Sequence, residues 1–449
     1  MRIKPLITAC LLSSLSIATS LKAESLIDIY NLATSNDPQF LSQGAQLEAN
    51  MQQSNQAFST LLPSLSGSYD YSYSRSGSSQ TTFTTFFGAS TGSESKRDGY
   101  SLSLRQSIYN YSDWISYDQS KRRVEQAKVR FKANQQDLVV RVSQTYFDVL
   151  SAKDNLEFAK AEQTAIKQEL EQTKQRYDVG LIAITDVHEA QARFDQSEAD
   201  RISAQNRLDN AHEALREITG TYTENLNSLN SNIPLLSPEP AEITDWVQVA
   251  KESNLSVVAA NMDVYIARQD TKRRFGGHLP NVSLSANYSD TTTDPAGQIA
   301  NTDSYSISGS LQVSVPIYSG GITNSRVKEG EALFKKASFD LESALRGTIR
   351  STRSAYLGVK ASISGIKALQ QSVISQESAL EATQAGFDVG SRTIVDVLLS
   401  TRTLYNARSS LSTARYNYVM AILRLKQAAG ILTGDDLLEI NKWMTQTTN

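Results

Sequence analysis

Four short stretches of the chain alternate strictly between apolar and polar residues. In the first of them, Leu65 and three tyrosines have one parity and serines have the other. Strict alternation predicts β-strands with one apolar and one polar face. The four strands are expected at about residues 64–75, 99–109, 281–289 and 304–316.

Each of these strands is about ten residues long, which is the length of an outer-membrane strand. A soluble β-sandwich alternates in the same way, so the pattern alone leaves both possibilities open. The connections at 76–99 and 289–303 are rich in Ser, Thr and Gly and are expected to be polar loops.

A different pattern occupies most of the remaining chain. Residues 113–177 contain neither proline nor glycine, which predicts a helix about 100 Å long. Gly180 and Gly390 follow long helices and are natural helix stops, because glycine tolerates the left-handed conformation. Two helical hairpins are therefore predicted, with helices at about 113–177, 184–219, 322–387 and 394–429.

The two hairpins belong to a tandem duplication. Tyr177-Asp178-Val179-Gly180 recurs as Phe387-Asp388-Val389-Gly390, an offset of 210 residues. Each repeat contains a helical segment, a strand pair, a long helix and a shorter helix. In the first repeat Asn36-Asp37-Pro38 interrupts the leading segment, whereas the second is predicted as one helix over 244–274. The expected divisions are repeats at 24–220 and 244–430, a proline-rich linker at 221–243 and a short polar tail at 431–449.

The last predicted helix carries a heptad repeat. Large residues recur every seven positions, and small residues recur three positions later, which is typical of a coiled coil with close helix contact. The first copy has a looser version of the same pattern. The large residues are Val397, Leu404, Leu411, Tyr418 and Leu425, and the small ones are Ser400, Ala407, Ala414, Ala421 and Ala428.

The N-terminus predicts export. Two early basic residues, an apolar run at 5–17 and small residues up to Ala23 form a secretory signal peptide, expected at 1–23. A buried N-terminal helix, or lipidation at Cys10, are the alternatives. Cys10 is the only cysteine in the chain, so the exported form is expected to have no disulfide and no thiolate metal site.

Charge and motifs argue against nucleic-acid binding and catalysis. The chain has 44 Lys and Arg against 47 Asp and Glu, and no basic patch indicates a nucleic-acid partner. The zinc-protease pattern fails after His188 at Ala192 and after His212 at Arg216. Neither an enzyme nor a cofactor or metal site is predicted.

The number of strands predicts self-association. Single-chain outer-membrane barrels begin at eight strands, and an open sheet edge in lipid leaves backbone groups unpaired. The export signal, the polar loops and the lack of cysteine favour the membrane interpretation. Other copies of the chain must then complete the barrel, although the count does not give their number.

Several stretches together resemble the TolC family of outer-membrane efflux and secretion channels, over essentially the whole exported chain. They are 177–187 (YDVGLIAITDV), 277–280 (GHLP), 315–321 (VPIYSGG), 393–397 (TIVDV) and 414–418 (ARYNY). The resemblance implies an α+β membrane protein that forms a homotrimer. Four strands per chain would form a 12-stranded β-barrel in the outer-membrane lipid, continuous with a long α-helical coiled-coil tunnel across the periplasm.

The resemblance also implies partners and a mechanism. A periplasmic adaptor protein and an inner-membrane RND or ABC transporter would open the tunnel at its helical tips, and drugs or proteins would pass out. The energy would come from the transporter. The pump, the adaptor and the exported substrate are not specified by the sequence.

Residues at the tips match the family's closing contacts in part. Thr185 and Asp186 occupy the positions of a Thr-Asp pair that links to a tyrosine and an arginine. The arginine is present as Arg392, but Phe387 replaces the tyrosine and has no hydroxyl group to donate. An Arg392–Asp186 contact is therefore expected to carry more of the closure.

Two further contacts depart from the family pattern. A glutamine–glutamate link has its residue types exchanged, as Glu169 and Gln384. The family's constriction ring uses two aspartates per chain; Asp396 matches the first, but Leu399 replaces the second, which puts strong cation binding in doubt. Asp186 and Asp396 also lie in the first turns of their helices, where the helix dipole stabilises any carboxylate. Without the resemblance, Arg392 would be interpreted as a solvated charge.

Two other functions explain part of the pattern. A non-channel surface or periplasmic coiled-coil scaffold, such as an adhesin, would explain the helices and the export signal but not four membrane-length strands in matching positions of a duplication. A passive porin would place all its strands in one chain and would have no such helices.

Overall fold

The structure is a computed structural model that describes residues 24–76, 93–295 and 302–445. The predicted signal peptide at 1–23 lies outside the described residues. The helices are α1 (Leu26–Asn36), α2 (Pro38–Ser59), α3 (Tyr111–Asp178), α4 (Ile184–Thr219), α5 (Ile243–Ser253), α6 (Leu255–Phe275), α7 (Ile322–Asp388), α8 (Ile394–Ala429) and α9 (Asp436–Asn441). The strands are β1 (Ser64–Ser76), β2 (Ser93–Tyr109), β3 (Ser228–Leu229), β4 (Asn281–Pro295), β5 (Thr302–Ser314) and β6 (Met444–Thr445).

The four longer strands form one antiparallel sheet in the order β1-β2-β4-β5. Its register aligns the apolar parities: Leu65 lies opposite Leu104, and Leu102 lies opposite Tyr288. This apolar face is exposed in the single chain, where Ile307 is 76% accessible. The opposite face is lined with serine pairs that hydrogen-bond across the strands, for example Ser68 with Ser101 at 2.7 Å, Ser285 with Ser310 at 2.8 Å and Ser289 with Ser306 at 2.9 Å.

Strand ends differ from the sequence prediction. β2 begins at Ser93 instead of about 99, and β4 extends to Pro295 instead of about 289. The extensions are polar, and Arg75 forms an ion pair with Glu94 across them at 3.3 Å. The hydrogen bonds between paired strands join backbone groups only. The pairing therefore continues beyond the residues whose side chains alternate between apolar and polar. The loop residues 77–92 and 296–301 lie outside the described residues.

The two long helices organise the remaining structure. α3 has 68 residues and α7 has 67, so each is about 100 Å long. α2 packs along the first half of α3, where Phe40 stacks on Phe131, and α4 packs along the second half. α6 and α8 pack on α7 in the same two positions. Among the helices of the described residues, none is long and apolar enough to cross a membrane.

The leading segments of both repeats are broken by one residue. A single helix over 244–274 is therefore a wrong prediction: α5 and α6 are separated at Asn254, as α1 and α2 are separated at Asp37. The Asn254 carboxamide accepts from the Ser256 backbone N–H at 3.0 Å and donates to the Ala428 carbonyl at 2.9 Å. Asparagine is a favoured N-cap because its side chain satisfies the free N–H groups of the new helix.

The main core surrounds the middle of the long helices. Tyr146 and Tyr418 are fully buried there, and the Tyr146 hydroxyl donates to the Asn227 carbonyl at 2.8 Å. The tail is not simply short and polar, because Leu437 and Ile440 of α9 are buried in this core. β6 of the tail pairs with β3 of the linker. The linker and the tail are therefore joined to each other by this strand pair.

Candidate functional site at the helical tips

The two hairpin tips have the same backbone structure. Gly180 and Gly390 adopt left-handed conformations with φ of 78° and 79°. The Leu181 N–H donates to the Arg176 carbonyl at 2.9 Å, and the Ser391 N–H donates to the Gly386 carbonyl at 2.8 Å. Each long helix thus ends in a glycine-based C-cap that reverses the chain. The turns place the ends of α3, α4, α7 and α8 at the same extremity of the molecule.

Phe387 lies in a small hydrophobic cluster just behind the tips. Its side chain is only 6% exposed. The cluster joins residues of all four helices: Ile166, Leu170, Ala190, Phe387, Ile394, Val397 and Leu398. Phe387 therefore contributes to the packing of the two hairpins against each other, although it has no hydroxyl group for a polar link.

Glu169 and Gln384 are brought together as the exchanged amide–carboxylate pair. The Gln384 amide donates to Glu169 Oε1 at 2.9 Å, across 215 positions of sequence. Glu169 is buried and Gln384 is exposed. Within the described residues, the second carboxylate oxygen of Glu169 has no hydrogen-bond partner. This hydrogen bond joins α3 to α7 close to the tips.

Asp396 is engaged by the start of its own helix. Its carboxylate accepts from both the backbone N–H and the hydroxyl of Thr393 at 3.0 Å, and the Asp396 N–H donates back to the hydroxyl at 3.3 Å. These two Thr393 hydrogen bonds hold the pKa of Asp396 below its usual range, with a smaller contribution from the positive charge of Arg392. The interpretation of Asp396 as a helix-capping residue therefore has a structural basis.

Asp186 occupies the same position in α4 but is not held in this way. The α4 N-cap is Ala183, which has no side-chain cap. Among the described residues of the single chain, no ion pair or hydrogen bond joins Asp186 or Thr185 to Arg392. Thr185 and Arg392 are both exposed. The structure therefore brings Glu169 to Gln384, but it does not bring Arg392 to the Thr185–Asp186 pair within one chain.

Arg176 is a tip residue that the sequence analysis missed. Its guanidinium donates to the Asp388 carboxylate at 2.7 Å and to the Phe387 carbonyl at 3.3 Å. It also lies over the Phe387 ring, 4.3 Å from the centroid. The sequence did hold one signal for this residue. The two repeats differ at its position, where the second copy has Gly386 instead of an arginine.

The fold and its tips define an outer-membrane channel protein with a long helical extension. The sequence pattern of the family described as "Outer membrane efflux protein" matches residues 29–221 and 246–431. The chain belongs to this family, the TolC family of outer-membrane efflux channels. Its two matched segments correspond to the two repeats.

Relatives agree with this assignment over nearly the full chain. Outer membrane protein TolC of Vibrio cholerae is 40% identical, and the match covers 98% of each chain. TolC of Escherichia coli is 38% identical over 95% of this chain and 86% of that protein. Proteases secretion protein PrtF of Dickeya chrysanthemi is 29% identical over 94% and 92% of the two chains. The chain is thus a non-enzymatic outer-membrane protein with a periplasmic extension.

Solved structures share the fold. The CusC structure matches with a TM-score of 0.73 at 16% identity, over 90% of this chain and 92% of that chain. The structure of VceC from Vibrio cholerae matches with a TM-score of 0.71 at 18% identity, over 90% and 96% of the two chains. Family membership implies a role in tripartite efflux or secretion assemblies.

Proposed function

We propose that three copies of the chain form one export channel, with a shared 12-stranded barrel and a helical tunnel closed at the tips. The observation that carries this proposal is the four-stranded sheet, whose exposed apolar face ends at β1 and β5. Four strands do not close a barrel, and an unpaired edge costs several kcal/mol per backbone group in lipid. Further copies of the same sheet can pair at these two edges and remove that cost.

The tunnel mouth is closed by contacts within and between chains. Glu169 and Gln384 tie α3 to α7 inside one chain. Thr185 and Asp186 pair with Arg392 of a neighbouring copy, which is consistent with the exposure of Thr185 and Arg392 in the single chain. Asp396 forms the constriction ring with one carboxylate per chain.

The channel works with a periplasmic adaptor and an inner-membrane RND or ABC transporter, which supplies the energy. Relatives support both export routes: one is named a proteases secretion protein, and another is the cation efflux system protein CusC. The adaptor docks at the tips and separates the hairpins. The cargo is drugs or proteins, and no chemical step takes place in the channel.

Single-channel currents of the purified protein in a planar lipid bilayer test this proposal. A small, steady conductance is expected, because the pore narrows at the tips. Arg392→Ser should raise the conductance by removing the contact with Asp186, and an unchanged value would exclude Arg392 as a closing residue. A well-folded oligomer without any pore would refute the channel and favour the coiled-coil scaffold instead.

A further inference from the structure

One guanidinium group connects the ends of the two long helices. Arg176 belongs to the last turn of α3, while Asp388 and Phe387 belong to the last turn of α7. The Arg176 side chain is only 23% exposed, and its three contacts are a carboxylate, a carbonyl and an aromatic ring. Because the guanidinium is planar and rigid, these contacts fix its orientation together. Separation of α3 from α7 would break all three.

The duplication shows that this contact is not a general property of the tips. Gly386 is the repeat counterpart of Arg176, and a Cβ atom at Gly386 would lie 2.7 Å from Arg392 Cγ. The first tip therefore supplies a long basic side chain, whereas the second provides room for the stem of Arg392. Asp178, the counterpart of Asp388, is exposed, and within the described residues no ion pair involves it.

We infer that Arg176 is a gating residue, which holds the α3 end against the α7 end and replaces the polar link lost at Phe387. A hydroxyl group on that ring is not needed, because the guanidinium binds the ring face and the adjacent carboxylate at once. This inference rests on the proposed function, since the contact is a gate only if the tips close a pore. Opening of the mouth then requires Arg176 to leave Asp388 and Phe387.

The first test is the current through the full-length oligomer in a planar bilayer. Arg176→Gln should raise the time-averaged current. Loss of one partly exposed ion pair per chain changes the ratio of open to closed mouths about 1.5- to 5-fold for each chain, and about 3- to 150-fold in a trimer whose three tips move together. Asp388→Asn should change the current in the same direction, and the double variant should exceed Arg176→Gln by little, because both remove one contact. Lys174→Gln is the matched control. Among the described residues Lys174 pairs only with Glu171 of its own helix, at 3.5 Å, so the current should not change.

The second test measures the distance between the tips without using the pore. Val179 and Val389 are 70% and 80% exposed, and Cys10 is the only native cysteine. Spin labels are attached at Val179→Cys and Val389→Cys, and double electron–electron resonance measures the distance between them. The distance distribution should be longer or broader in the Arg176→Gln background than in the Lys174→Gln background. Arg176→Lys keeps the charge but not the planar fork, so it should give an intermediate result.

The two tests separate the two conclusions. If the unmodified oligomer carries no current, the proposed channel is refuted, while the distance measurement still decides whether Arg176 holds the tips together. If Arg176→Gln matches Lys174→Gln in both current and distance, the inference is wrong and the Arg176 contact is an ordinary ion pair.

Discussion

Replacement of Gln384 tests most directly whether the tip contacts restrain the channel mouth. The Gln384 amide is the hydrogen-bond donor 2.9 Å from the Glu169 carboxylate. Glu169 is 8% exposed and its other oxygen has no partner within the described residues. Gln384→Ala therefore leaves a buried carboxylate without a side-chain donor. The loss of this hydrogen bond destabilises the closed arrangement of α3 and α7.

The size of the effect follows from the geometry. A hydrogen bond to a charged group contributes about 1.5–3 kcal/mol. Because Gln384 itself is exposed, water can replace part of the lost donor, so we expect about 1 kcal/mol per chain. In a trimer whose three tips move together, this amounts to a change of roughly 100-fold in the ratio of open to closed mouths.

The assay is the single-channel current in a planar bilayer, with three variants. Gln384→Ala should raise the current, and Gln384→Glu should raise it further at neutral pH, because two carboxylates would face each other. The current of Gln384→Glu should fall as the pH falls, since a proton bound between the two groups removes the repulsion. The exchange variant Glu169→Gln with Gln384→Glu should close the mouth again, because it restores an amide–carboxylate pair.

Gln371→Ala is the matched control, since Gln371 is an exposed glutamine on the same helix. It should leave the current unchanged. Equal currents from Gln384→Ala and Gln371→Ala would show that the hydrogen bond does not restrain the mouth. A current as high in the exchange variant as in Gln384→Glu would show that the substitutions act through local packing instead of through the pair.

Three further predictions concern stability. Asp37→Ala should lower the free energy of unfolding by roughly 2–4 kcal/mol, because it removes the α2 cap and the buried one of the two carboxylates that pair with Arg141. Denaturant unfolding checks this, and a change within error would exclude the ion pair as a stabilising contact. Gly430→Ala should lower the temperature of thermal unfolding more than Gly220→Ala. Both glycines are left-handed, but a new Cβ at Gly430 would lie 2.3 Å from the Ser253 carbonyl oxygen, whereas one at Gly220 would lie 3.5 Å from its nearest atom. Because the pKa of Asp396 is lowered in the folded protein, its carboxylate stabilises the fold above the unfolded pKa of about 3.9, and this stabilisation is lost as the pH falls through the folded pKa. Asp396→Asn should remove this part of the pH dependence of unfolding, and an unchanged profile would contradict the capping role.

Sequence periodicity was sufficient for the elements, whereas the channel fold came from the resemblance to the TolC family. The strands, the long helices and the tandem repeat follow from alternation, from the absence of helix breakers between 113 and 177, and from the recurrence of the Gly180 motif at Gly390. The family match confirms the repeat and the channel fold that the resemblance implied. Such patterns are local, because they record which face of each residue must be apolar and where the backbone can reverse. They do not record where a polar ladder ends, which is why β2 and β4 extend beyond their predicted ends.

Only the tertiary structure decided which side chains meet. The resemblance proposed Glu169 and Gln384 as partners. For Arg176 the sequence held only the difference between the repeats at that position, and it gave no sign of the contact with Asp388, 212 positions away. The break at Asn254 was also missed. Its cap is local, but the Asn254 amide also donates to the Ala428 carbonyl of another helix, a contact that local patterns do not record. Contacts of this kind depend on how long helices lie beside one another, and a small shift along a 100 Å helix exchanges one partner for another. The sequence therefore determined the elements, and the packing of the elements determined the candidate gate.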